Sequence, residues 1–463
     1  MRVKFDRCLW LLPLGVATAL VVAVRVLLPF RLPVPWPDET WFVAPAYALS
    51  RTGSFFDAGI NPDRVAMWMP PGYEILLAAV FRTLGYGFGI ARGVSGAAAL
   101  VSIGIIATLI CRLVPPNRRL AASVVVLFAY ASPNLLMSSN VARMDQVFAC
   151  VILVAAALAV ADHFYQASAV VAASALVHPN AVYFIPPMVF QFGYLAWRRQ
   201  LRRPTTGDAI ATTGDAIAMI AACVVLGSYA AYVAANYHGF VDDMRVQFAG
   251  RFAGHREQAR WLWHLGAAMA LVWAIVRARA SMPVTMLAVF ACASVAEVDL
   301  GSECWYDYAQ PLGFALLTTA VLATPKSPRW LLVAAPLLTI VTACQIGDET
   351  PWSLPRLPPF RRDLVPAAEL KKVRVFIAGL HRGDTVNFGG AGMEPFFLSD
   401  LAAAGAQWVN AAHSVTAFFP VRFADWNVRC DSQDFSTPEM GYDLTYVRVG
   451  ADRGCNIYGT AKH

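Results

Sequence analysis

The sequence predicts an all-α polytopic membrane protein of about eleven transmembrane helices with juxtamembrane helices, followed by a small C-terminal α/β extracytoplasmic domain. Three observations predict it. Hydrophobic residues make up 58% of the 463 positions and charged residues only 14%, far from the balance of a soluble domain. Apolar runs long enough to cross a bilayer, or nearly so, recur through the first three quarters of the chain. Near Gly347 the composition turns to mixed polarity behind a proline-rich stretch, Pro351, Pro355, Pro358 and Pro359. The expected division is therefore residues 1–346, the membrane part with a first outward loop at 29–89, and residues 347–463, the C-terminal domain.

The apolar runs read as 8–28, 90–112, 118–135, 143–161, 165–178, 180–197, 212–236, 261–278, 282–299, 307–324 and 328–345. The first follows a charged start (Arg2, Lys4, Arg7) and shows no small-residue cleavage site, so it reads as a signal anchor. Four basic connections separate later runs: Arg112 with Arg118 and Arg119, the arginines at 198–203, Arg277 with Arg279, and Lys326 with Arg329. All four fall on the side of the N-terminus, as the positive-inside rule expects of a cytoplasmic face. The formal charge of +7 thus reports topology, and no nucleic-acid partner is expected. Residues 71–84 are apolar but about 14 long, short for a span. Counting them as one would invert every later loop, so they read as an interfacial helix.

A tandem TTGDAIA repeat at 205–218 reads as a tolerated loop duplication. In the C-terminal part, Val373–Ile377, Thr385–Phe388 and Leu444–Val449 read as strands and Ser399–Ala404 as helix. Six cysteines, Cys8, Cys111, Cys150, Cys223, Cys292 and Cys344, sit in or beside apolar runs and read as packing residues. Cys430 and Cys455 lie in the polar region, where a disulfide is open to them if that region is extracytoplasmic.

Candidate chemistry concentrates on the outward side. Asp38-Glu39 follows Pro35-Trp36-Pro37 and precedes Trp41. The plain reading makes Asp38 a helix N-cap and Glu39 a favourable charge at the helix's positive end. The alternative makes the pair an interfacial acid site for something delivered from the bilayer. Arg143 and Asp145 open a span, where an ionisable pair is either functional or an interhelical salt bridge. Arg245, Arg251, Arg256 and Arg260 in the outward segment 237–260 read as anion-binding or as a solvated face. Trp305, Tyr306 and Tyr308 read as membrane anchors or as a sugar-stacking surface. His178 beside Pro179 reads as a helix-end group, the alternative being a metal ligand with Asp38 or Asp145, but no HxxxH or HExxH pattern supports a metal.

Taken together, Asp38-Glu39 after the first helix, Pro70-Pro71-Gly72-Tyr73 some thirty residues on, Gly85 with Ala91-Arg92, Ala142-Arg143-Met144-Asp145 and His178-Pro179-Asn180 resemble the GT-C superfamily of membrane glycosyltransferases. Within it, the chain resembles the bacterial branch of protein O-mannosyltransferases, lipid A aminoarabinose transferases and galacturonosyltransferases. The resemblance implies transfer of a sugar from a polyprenyl-phosphate donor to an acceptor hydroxyl of a lipid, polysaccharide or protein. It places the reaction on the extracytoplasmic side of a bacterial inner membrane, with inversion. It further implies Asp38 as general base with Glu39 supporting. A departing phosphate needs fixed cations beside it, for which Arg143, Arg251 and Arg256 are the candidates, and Asp145, His178, Trp305, Tyr306 and Tyr308 are the candidate substrate-binding residues. No cofactor is expected, although some members use a divalent metal. A multi-span transporter and a non-catalytic envelope assembly protein remain the competing classes at this stage.

Overall fold

The computed structural model describes residues 8–30, 37–61, 63–67, 69–201, 212–252, 262–300, 309–344, 367–389, 394–409, 424–429, 446–448 and 456–460. Every apolar run read as a span contains a helix. In chain order these are α1 (Leu11–Leu27), α2 (Pro37–Thr52), α3 (Gly72–Leu84), α4 (Phe88–Leu113), α5 (Arg119–Ala131), α6 (Pro133–Ser138), α7 (Asp145–Val160), α8 (Phe164–Ser174), α9 (Ile185–Leu201), α10 (Thr212–Ala235), α11 (Tyr237–Phe252), α12 (Leu262–Arg277), α13 (Met282–Leu300), α14 (Ala309–Ala323) and α15 (Leu331–Cys344). α16 (Ala367–Ala378) and α17 (Leu398–Ala404) follow. The sheet strands are β1 (Thr385–Gly389), β2 (Gln407–Trp408), β3 (Trp426–Arg429), β4 (Tyr446–Arg448) and β5 (Asn456–Thr460).

Composition sorts the helices by depth. α14 is apolar on all sides and every one of its residues is buried, as a helix at the centre of a bundle must be. It packs between α13 and α15 and also against α5. Gly313 permits the closest of these approaches, since a Cβ there would lie 2.9 Å from Val295 and 3.0 Å from the Ala291 carbonyl oxygen. Sparse polar contacts join the neighbours: Thr318 with Thr339 at 2.9 Å and Gln310 with His264 at 3.3 Å, the usual glue between apolar helices. α10 is the opposite case. Only 6% of its apolar stretch Ala216–Ala235 is buried; one face lies against α8 and the rest faces the surroundings. α4 and this stretch, at 26 and 20 residues, are each long and apolar enough to cross a bilayer unaided. α1, α7, α12, α13, α14 and α15 contain shorter apolar stretches.

The two ends of the bundle differ chemically. At one end Arg118 donates to the carbonyls of Leu322 and Thr324, both at 3.1 Å, so the 112–119 connection and the segment carrying Lys326 share a face. At the other lie the C-terminus of α1, the N-termini of α2, α4 and α7, His178 and Glu297. The acids gather at the end away from these basic connections.

Four expectations need correction. Val373–Ile377 is helix, within α16, and not strand. Val373 and Ile377 are fully buried while Val375 is 67% exposed, a helical period that the preceding Ala-Ala-Glu-Leu-Lys-Lys favours over the β-branched preference of the run. Residues 237–252 of the presumed outward loop form α11. The second repeat copy, 212–218, is the first part of α10 and not loop, whereas the first copy lies outside the described residues. Asp38 is not an N-cap, because α2 starts one residue earlier at Pro37, a residue suited to the first helical position.

The sheet order is β2-β1-β3-β5-β4, with β1 parallel to β2 and β3, and β5 antiparallel to β3 and β4. The strand expected at Thr385–Phe388 is β1, and β4 falls inside the run expected at Leu444–Val449. Cys430 and Cys455 lie outside the described residues. One apolar cluster is shared between this unit and the segment after α1, joining Trp41, Phe42, Ile60 and Tyr73 to Val373, Phe388, Phe397 and Trp408.

Candidate active site

The site is built on the first turn of α2. Asp38 and Glu39, adjacent in sequence, point about 100° apart on a helix, and the structure gives them different surroundings. Asp38 Oδ2 accepts from Arg143 Nη1 at 2.5 Å, and Arg143 Nε donates to Asp145 Oδ2 at 3.0 Å. Arg143 and Asp145 are buried, at 7% and 5% side-chain exposure, whereas Asp38 is 38% exposed. Within this ion chain Asp38 is therefore the acid a ligand can reach.

Glu39 has no exposure at all, and neither does its partner Arg92. Arg92 Nε and Nη2 donate to the two carboxylate oxygens at 2.9 and 2.6 Å, a bidentate fork. Glu39 Oε1 also accepts the Ala142 backbone N–H at 2.6 Å. One carboxylate thus fastens α2 both to α4 and to the turn carrying Arg143. Arg92 is held further by the Pro29 carbonyl at 2.8 Å and by the Phe88 and Phe30 rings, 4.9 and 5.4 Å from its guanidinium carbon. Ser95, one turn along α4, donates to the Val141 carbonyl at 2.6 Å.

Asp145 faces His178 across 3.8 Å, Oδ1 to Nε2. His178 Nδ1 accepts the Asn180 backbone N–H at 3.0 Å, which leaves the proton of a neutral ring on Nε2, toward Asp145. Asn180 in turn donates to Glu297 at 2.9 Å. His178 therefore caps the turn that follows it through Nδ1, with Nε2 turned toward Asp145. Glu297 stands at the edge of an apolar cleft between α7, α13 and α14 lined by Phe148, Phe290 and Leu312.

The Pro-Pro-Gly-Tyr motif has a local explanation. Gly72 N–H donates to the Leu176 carbonyl at 2.7 Å, and a Cβ on Gly72 would lie 2.5 Å from that same oxygen. Only glycine lets the start of α3 lie against the segment that leads into His178.

Beyond the expected residues, the structure adds three attachments. Thr40 donates to Glu394 Oε2 at 3.1 Å. Burial pushes the Glu394 carboxyl up to about 7, against its hydrogen bonds. Arg64 forms a bidentate pair with Asp243 of α11, at 2.8 and 2.6 Å, and Asp243 also accepts from Met67 N–H at 2.7 Å. Trp408 of β2 lies over Gly59, where a Cβ would come within 2.1 Å of the indole. Sequence reasoning quoted Arg92 in a motif without giving it a role. A buried arginine at a membrane boundary was the available signal.

Arg251 belongs to α11, but its side chain lies outside the described residues, as do Arg256, Trp305, Tyr306 and Tyr308. Among the described residues no group of three or more His, Cys, Asp or Glu side chains is arranged to hold a metal ion.

A helical bundle with a small sheet-containing C-terminal unit against one end is a fold this chain shares with a solved structure. Among solved structures the chain is similar to ArnT from Cupriavidus metallidurans, crystallised bound to undecaprenyl phosphate, with a TM-score of 0.57 and 14% identity over 95% of this chain and 97% of that one. No model of a known family and no curated protein sequence matches it.

Proposed function

We propose that this protein is a glycosyltransferase of a bacterial inner membrane, moving a sugar from a polyprenyl-phosphate donor to an acceptor hydroxyl on the extracytoplasmic side. The observation that carries the reading is the Asp38–Arg143–Asp145 chain, with Asp38 alone of the three open to a ligand. The similarity of fold to a protein crystallised with undecaprenyl phosphate supports the donor class.

In this reading the Asp38 carboxylate takes the proton from the acceptor hydroxyl as its oxygen attacks the anomeric carbon. The bond from that carbon to the phosphate oxygen breaks on the opposite face, and the configuration inverts. Arg143 orients Asp38 and, with Arg251 and Arg256, supplies the positive charge that the departing phosphate requires. Asp145 and His178 back the site from behind Arg143, and Trp305, Tyr306 and Tyr308 contact the substrate. Glu39, wholly enclosed, acts as a positioning residue. The acceptor is a lipid, a polysaccharide or a protein, and the site faces away from a cytoplasmic N-terminus.

The test is reconstitution with radiolabelled polyprenyl-phosphate sugars and a panel of acceptors. Asp38→Asn should lower transfer by about a hundredfold or more. Undiminished transfer by Asp38→Asn would remove Asp38 as base, and no transfer by the wild type with any donor would favour transport or assembly.

A further inference from the structure

Residues 394–396 form a short turn between β1 and α17, and each of the three touches a different support of the α2 N-terminus. Glu394 is 6% exposed and accepts the Thr40 hydroxyl, two residues beyond Asp38. The Pro395 carbonyl accepts the hydroxyl of Tyr86, just before α4. The Phe396 ring meets Phe30 and Phe88 edge-on, each at 4.9 Å between centroids. Those are the same two rings that bracket Arg92, the partner of Glu39. The turn therefore reaches helix α2, the entry to α4, and the aromatic cradle of the Arg92–Glu39 pair, and it comes from a part of the chain more than 300 residues away from each of them.

We infer that the Glu394-Pro395-Phe396 turn is a positioning clamp, by which the C-terminal unit holds the first turn of α2 and so fixes the direction of the Asp38 carboxylate toward Arg143 and the substrate. The catalytic half of this statement rests on the proposed function, whereas the holding of α2 does not. Glu394 is the central contact because its neighbours leave it no solvent to fall back on. A buried acceptor without its donor, or the reverse, costs more than an exposed one. Fixing a reacting group within a fraction of an ångström is worth large rate factors, so loosening it lowers turnover more than affinity.

The experiment uses the full-length protein in lipid nanodiscs with Glu394→Ala and Glu394→Gln, the amide keeping the shape and an acceptor oxygen. Two readouts are taken: hydrogen exchange of the amides at 38–44, and transfer kinetics with a radiolabelled polyprenyl-phosphate sugar. In Glu394→Ala, exchange at 38–44 should speed up by about tenfold, the scale of one buried hydrogen bond. Exchange in α14 should stay unchanged, which separates loosening from misfolding. Turnover should fall by about tenfold with KM within about twofold, and Glu394→Gln should restore both. Unchanged exchange at 38–44 in Glu394→Ala would overturn the clamp, whatever the kinetics. Loosened exchange with no transfer by the wild type would leave the holding of α2 standing and sink the proposed function alone.

Discussion

Asp38 and Glu39 show how neighbouring identical chemistries are assigned different work by burial. Glu39 and Arg92 are closed from solvent and bidentate, so removing either leaves a charge with no counterpart in a dry place. Glu39→Ala and Arg92→Ala should each destabilise the fold by about 3–5 kcal/mol. The double replacement Glu39→Leu with Arg92→Met should cost much less than their sum, because it removes both charges. Thermal unfolding in detergent measures all of these, and additive losses would show that the pair contributes no coupling. Little of this was legible from the residues. The sequence marks Asp-Glu at an interface and Arg92 at a helix entry, but 53 positions separate Glu39 from Arg92, and no spacing rule joins them. Likewise Arg143 and Asp145 are visible as a local pair, while the attachment of Arg143 to Asp38 exists only once α2 and α7 are brought together.

At the scale of elements, hydrophobic runs foretold the helices because burial in a bundle or in lipid demands the same apolar composition. They were weakest where that demand relaxes, and polar stretches such as α11 were read as loop. Helix α16 was misread for a different reason: a five-residue β-branched window outweighed the helix-forming residues before it. Helix α3, read as too short to span, has 13 residues and begins at the glycine that meets Leu176. Gly72→Ala should cost about 1–3 kcal/mol, since the added methyl collides with backbone that has no rotamer to change. A lowered unfolding temperature checks this, and an unaltered one would mean that the approach of α3 to Leu176 is looser than 2.5 Å.

For the whole molecule, the distribution of charge makes a topological statement. Arg118 reaches carbonyls at the C-terminal end of α14 at one end of the bundle, and the acids meet at the other. Cysteines introduced singly in a cysteine-free background at the exposed positions Asn117 and Ser54 should therefore react with an impermeant reagent from opposite sides of sealed vesicles. Labelling of both from one side would contradict the arrangement. By the positive-inside rule the face of Asn117 is expected to be cytoplasmic. Arginine placement in the sequence carries that topological expectation, whereas nothing in the sequence foretells the seating of the C-terminal unit on α2. Its contacts pair Thr40 with Glu394 and Gly59 with Trp408, residues drawn from ends of the chain that share no pattern.

That seating also has a temporal side. A ribosome delivers α2, α4 and the Arg143 turn early, and their ion pairs can close among themselves as those segments insert. The residues that hold α2 from outside emerge some 350 positions later, after the membrane helices. A nascent chain thus owns its acids long before it owns their support, and a product cut short within that interval would carry Asp38 with Thr40 still waiting for Glu394.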